Sequence, residues 1–141
     1  MSSDPGAIVP AVAAAMNAHD LDAMVAHFAP DYRSEQPMHP TRGFDGREQV
    51  RKNYSVLFGE VPDFRADVLG LAAVGDEVWS EWRMHGTKAA DGSRFEYRGM
   101  TVWGVRDGLV AWARLYFEPV EEAGEGIDAA TRGLVEPRRS G

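Results

Sequence analysis

The sequence predicts an α+β domain in which helices come first and an antiparallel sheet follows. Three observations predict it. Up to Phe58 the apolar residues recur at helical spacing. From Phe64 they fall into strand-length runs instead. Turn signals at Gly75-Asp76, Asp91-Gly92 and Asp107-Gly108 divide those runs, and the connections are short enough for antiparallel neighbours.

The first helix carries Ile8, Val12, Ala15 and Met16 on its apolar side. Pro10 fits only a first turn, which leaves the start of this helix open. Asn17-Ala18-His19-Asp20 forms a turn, with Asp20 placed to cap a second helix. That helix presents Leu21, Met24, Val25 and Phe28 and ends at Ala29-Pro30. Asp31 to Gln36 alternates and reads as a short strand, and Pro37 to Gly43 is a loop. A third helix starts after Asp45-Gly46, uses Val50, Tyr54, Leu57 and Phe58, and stops at Gly59 before Pro62. Strands then run over Phe64–Val74, Val78–Thr87, Phe95–Val105 and Leu109–Phe117.

With 141 residues, 44% hydrophobic and 26% charged, the chain fits one domain over residues 1–120. Residues 121–141 form a tail, acidic at Glu121, Glu122 and Glu125 and basic at Arg138-Arg139. Around Ile127, Leu134 and Val135 it reads as a mobile terminus or as a docked short helix. The net charge of −7 argues against nucleic acid and against an anionic membrane surface as partners. The absence of cysteine excludes a disulfide scaffold, a thiol nucleophile and a thiolate zinc site. No apolar run approaches the roughly 20 residues of a membrane span, and no basic-then-apolar leader opens the chain. The expectation is a cytoplasmic protein.

Three segments together carry a family resemblance. They are Met16-Asn17-Ala18-His19-Asp20-Leu21-Asp22 through Phe28-Ala29, then Gly46-Arg47-Glu48, then Asp107-Gly108-Leu109-Val110 through Tyr116-Phe117-Glu118. In that order the chain resembles the nuclear transport factor 2-like superfamily, and within it the SnoaL-like branch, over about residues 7–118. The resemblance implies a cone, in which a curved antiparallel sheet wraps around three N-terminal helices and encloses a pocket. Such folds serve isomerases, epoxide hydrolases, polyketide cyclases and non-catalytic modules, so the pocket residues must decide.

Ketosteroid isomerase relatives use a carboxylate base and two acidic hydrogen-bond donors for a developing enolate. The resemblance puts Gln36 at the base and Val12 and Met100 at the donors, and none of the three can play its part. Epoxide hydrolase relatives use an Asp–Arg–Asp set, whose positions fall on Trp82, Met84 and Leu115. An apolar wall remains: Val12, Trp82, Met84, Met100, Val102, Leu115 and Phe117. These residues read as plain core or as the lining of a pocket for an apolar or aromatic small molecule. Tyr54 would add a hydroxyl to it.

Four side chains are candidates for catalysis. Glu35 would be a desolvated base if it faced the pocket, and an ordinary surface carboxylate if it did not. His39 lies in the Pro-flanked loop bordering the pocket mouth, with Arg42 nearby. Tyr32 offers a hydroxyl, and His27 reads either as a partner in the pocket or as a core histidine. In a regular strand only one of Glu35 and Gln36 points inward. Glu35 inward gives a base and a cofactor-free isomerase, cyclase, hydratase, hydrolase or lyase; Gln36 inward gives a binding module. No spacing of His, Asp and Glu suggests a metal site, and no cofactor is implied. Alternation also puts Trp79, Trp103, Trp112, Arg114 and Tyr116 on the convex face, and predicts a homodimer through it.

Overall fold

The computed structural model describes residues 4–136. Asp4 caps a 3₁₀ turn at Pro5–Ala7, accepting the Gly6 N–H at 2.9 Å, and the chain runs directly into α1 (Ile8–Asn17). Pro10 is the third residue of α1, where a missing N–H costs no helical bond. The turn after α1 fastens the helix to the sheet. Asn17 donates from Nδ2 to the Ala66 carbonyl at 2.9 Å and accepts the Ala66 N–H at 2.7 Å. His19, at φ 53°, donates from Nε2 to the Phe64 carbonyl at 2.9 Å and stacks on Phe58 at 4.3 Å. Asp20 caps α2 (Leu21–Ala26), its carboxylate accepting the Ala23 N–H at 3.0 Å.

Helix α2 ends earlier than the sequence indicates. The His27 carbonyl accepts the Val110 N–H at 2.8 Å, and Phe28 opens β1 (Phe28–Glu35) instead of extending the helix. A 3₁₀ turn at Pro40–Arg42 and the short β2 (Phe44–Asp45) lead into α3 (Arg47–Glu60). Gly59 lies inside α3 and does not end it; Pro62 does. Strands β3 (Arg65–Val74), β4 (Glu77–Thr87), β5 (Arg94–Arg106) and β6 (Leu109–Pro119) complete a six-stranded sheet of order β2-β1-β6-β5-β4-β3. The sheet is mixed, which corrects the all-antiparallel expectation. β1 pairs in parallel with β6, because α3 and the whole meander lie between them and no hairpin fixes their relative direction.

The concave face of the sheet carries Val78, Trp82, Trp103, Val110 and Ala113 into the core. The helices meet it with Val9, Val12, Met16, Met24 and Val50. A Cβ at Gly99 would collide with the Tyr116 carbonyl oxygen, so glycine there permits the close approach of β5 and β6 in the curved sheet.

Pairing fixes which residues face in. Thr87 pairs with Arg94, so even-numbered residues of β4 share a face with odd-numbered residues of β5. Ser80 opposes Thr101 and Val78 opposes Trp103 on the concave side. Glu81 opposes Met100 and Trp79 opposes Val102 on the convex side. This reverses the expectation for β5: Thr101 and Trp103 point inward, Met100 and Val102 outward. A bulge between Gly104 and Val105 then shifts the register again, so β6 keeps Leu115 and Phe117 inward.

Residues 127–135 form α4 (Ile127–Val135), with Ile127, Leu134 and Val135 exposed. The docked reading of this segment is therefore not met, and Arg138-Arg139 lie outside the described residues. Among those, no helix is long and apolar enough to cross a membrane.

Candidate functional site

The open end of the curved sheet holds a funnel. Its inner chamber, about 90 Å³, is bounded by Tyr32 and Ser34 of β1, Asn53 and Tyr54 of α3, Thr101 and Trp103 of β5, and Leu115 of β6. Its outer mouth, about 330 Å³, is walled by Met84, Phe95, Tyr97, Leu115 and Phe117, with Arg42 on the rim. Gln36, Tyr54 and Leu115 border both, so the chamber and the mouth are neighbours with these side chains between them.

Strand alternation aims the β1 side chains. Tyr32 and Ser34 are buried, and Gln36 continues that face at the point where Pro37 ends the strand. Arg33 and Glu35 point the other way. Glu35 is half-buried, and its Oε1 lies 3.1 Å from Arg33 Nε, beside an open surface concavity that also touches Asp45 and Pro40. Helix α3 supplies Val50, Asn53, Tyr54 and Leu57, one stripe at positions three and four apart.

Both chamber phenols are held neutral. Burial pushes Tyr32 up to about 12, tempered by the Ser34 hydroxyl. Burial pushes Tyr54 up as well, and the neighbouring Tyr32 adds to it by opposing a second negative charge. Tyr32 is gripped by aromatic rings, edge-on to Phe28 at 4.7 Å and to Phe44 at 6.0 Å.

The remaining candidates disperse. Met84, Leu115 and Phe117 border the mouth. Val12 and Trp82 are fully buried in the core and touch neither chamber nor mouth. Met100 is 37% exposed on the convex face, and Val102 lies on that face too. His39 Nε2 meets Glu118 Oε1 at 2.9 Å outside the funnel lining, and His27 is the C-cap of α2. Trp103 is 4% exposed, its indole donating to Ser80 in the core, so it cannot belong to a convex interface. Thr101, Ser34 and Asn53, which the sequence did not point to as lining, reach the chamber, as does Trp103, which the sequence placed on the convex face. Asn53 was legible, three residues from Val50 on the α3 stripe. No group of three or more metal-ligating side chains comes together among the described residues.

The sequence pattern of the SnoaL-like domain family matches residues 9–113. The chain belongs to the SnoaL-like domain family. No curated protein matches it in sequence. Among solved structures, this SnoaL-like chain is similar to IdmH, a candidate polyketide cyclase from Streptomyces antibioticus. The two are 22% identical, with a TM-score of 0.73, over 82% of this chain and 93% of that one. It is also similar to an LEH-like epoxide hydrolase of M. tuberculosis, at 21% identity and a TM-score of 0.69, over 81% of this chain and 82% of that one. A ketosteroid isomerase-like fold from Catenulispora acidiphila, solved with trimethylamine, matches at 21% identity and a TM-score of 0.68, over 77% and 83% of the two chains. At these identities the likeness is one of fold. Met100 points outward, and Thr101 is the neighbour that enters the SnoaL-like chamber.

Proposed function

We propose that this SnoaL-like domain binds an apolar, aromatic small molecule in the funnel and does so without a catalytic base. One observation carries the reading: every polar side chain bordering the chamber is neutral, namely Tyr32, Ser34, Gln36, Asn53, Tyr54, Thr101 and the Trp103 indole. Amides and hydroxyls both donate and accept, which suits a carbonyl or hydroxyl on an otherwise apolar ligand. General-base catalysis needs a basic group within hydrogen-bond reach of the proton to be removed. Glu35 faces away beside Arg33, and His39 is engaged by Glu118.

Calorimetric titration with 2-acetylnaphthalene, a neutral aromatic ketone, tests this. Wild type and Glu35→Gln are expected to bind alike, and Leu115→Trp, which fills the junction of chamber and mouth, to lose binding. Loss of binding in Glu35→Gln, or its retention in Leu115→Trp, contradicts the reading.

The convex face supports a second part of the proposal, a homodimer. Trp79 is 44% exposed there beside Met100 and Tyr116, and Arg114 stacks over Trp112 at 4.7 Å. Gly104 makes room for that stack, since a Cβ there would collide with the Trp112 ring. Aromatic rings with arginine are the composition of interface centres. Light scattering at micromolar concentration is expected to give twice the chain mass, and Trp79→Glu to give the monomer. A monomeric wild type contradicts it.

A further inference from the structure

We infer that the ligand of the funnel is an aromatic carboxylate, held with its ring system in the mouth and its carboxylate against Arg42. The inference rests on the binding proposal above and adds the chemical class of the ligand. Arg42 borders the mouth, where the other side chains are apolar, aromatic or uncharged. Its guanidinium meets a neutral partner: Nη1 lies 3.5 Å from Gln36 Oε1, the far limit of a hydrogen bond. No carboxylate pairs with Arg42 among the described residues; seven other arginines there have acidic partners, while Arg47 meets the Phe28 carbonyl, Arg114 lies over Trp112, and Arg132 like Arg42 has no acidic partner. A guanidinium presents a planar fork of donors, and a carboxylate meets it with two parallel bonds.

The backbone that carries the cation is held in place by its loop. Pro37 and Pro40 restrict the backbone on the approach to it. The Arg42 N–H donates to the His39 carbonyl at 2.9 Å, and the Gly43 N–H to the Pro40 carbonyl at 3.2 Å. His39 itself is tied to β6 through Glu118 at 2.9 Å. His39 is thus a positioning residue for the backbone of Arg42, so the ligand has only the side chain left to order. The net charge of −7 would repel an anion at long range, yet that field is screened beyond roughly 8 Å at physiological salt while a contact pair is not. The ligand's two ends are then distinguished: a neutral, hydrogen-bonding inner end toward Tyr54 and Thr101, and an anionic outer end at the rim.

The test compares 2-naphthoate with methyl 2-naphthoate by calorimetry on the intact protein. The two share a ring system and differ in the charge. Wild type is expected to bind the carboxylate about tenfold tighter than the ester, close to ~1.4 kcal/mol. Arg42→Gln, a change at an exposed side chain, is expected to lower carboxylate affinity about tenfold and so to abolish that preference. His39→Gln is expected to weaken carboxylate binding alone, and Arg42→Lys to restore part of the preference. Equal binding of both compounds by wild type overturns the carboxylate inference and leaves the binding proposal standing. Equal loss of both in Arg42→Gln overturns it too. Failure of wild type to bind either compound overturns both proposals.

Discussion

Trp82 and Trp103 share one acceptor. Their indole N–H groups donate to Ser80 Oγ at 2.7 and 2.8 Å, and Ser80 donates in turn to the Thr101 carbonyl at 3.1 Å. All four residues are buried, so one hydroxyl satisfies two indoles directly behind the chamber wall. Removing it leaves two donors without a partner, at about 1–3 kcal/mol each. Ser80→Ala is expected to destabilise the fold by about 2–5 kcal/mol in urea denaturation. A loss near zero would mean that the indoles find other partners.

The orientation of β5 has its own test. In the Trp79→Glu background, where the convex face is free of its partner, Met100→Asp should titrate as a solvated carboxylate with little loss of stability, because position 100 lies on that face. Thr101→Asp should show a raised pKa and a clear loss of stability, because its side chain enters the chamber. NMR titration of the introduced carboxyls distinguishes the two. A raised pKa at position 100 and an ordinary one at 101 would reverse the strand.

Burial of the chamber phenols makes the fold sensitive to alkali. Tyr32 is pushed up to about 12, and Tyr54 is pushed up as well. An unfolded tyrosine titrates near ~10, so above that pH the folded chain holds protons that the unfolded chain has released. The stabilising contribution is complete below pH ~10 and is lost as pH rises toward the folded values. Absorbance at 295 nm should show two of the four tyrosines resisting ionisation until the protein unfolds. Ionisation of all four together in a folded protein contradicts this.

At acid pH the sign is opposite. His85 Nε2 lies 2.9 Å from Asp67 Oδ2, and Arg65 Nε 3.2 Å from Oδ1, and these partners hold the Asp67 carboxyl below its usual range, His85 most of all. The unfolded carboxyl binds its proton first as pH falls, so this contribution is present above the ordinary aspartate value and is lost through the lower folded one. Asp67→Asn is expected to lower Tm at pH 7 and to flatten the fall of Tm between about pH 5 and 3. An unchanged acid limb in Asp67→Asn contradicts it.

Much of this architecture was legible in the sequence, and the faults have local causes. Asp20 announced the α2 cap, and the Asp-Gly pairs announced their hairpins. The inward faces of β4 and β6 followed from alternation. That of β5 did not, because the parity of the connection between Thr87 and Arg94 and the bulge at Gly104/Val105 each reverse the count. The two reversals cancel by β6, so Leu115 and Phe117 were placed correctly while Met100 and Trp103 were exchanged. On β1 the difficulty was finer: Glu35 and Gln36 adjoin, and only the pairing of Ser34 and Glu35 with Ala113 and Arg114 fixes their sides. The parallel β1–β6 pair left no local signal, since no turn joins the two strands.

The central claim is that the ligand binds in the funnel, whose inner chamber is neutral. Isotope-filtered nuclear Overhauser spectroscopy on labelled protein with unlabelled 2-acetylnaphthalene tests it most directly. Contacts from the ligand to Tyr54, Trp103 and Leu115, with none to Glu35, are the result expected. Contacts confined to Trp79, Trp112 and Tyr116 on the convex face, or to the concavity beside Glu35, would contradict it.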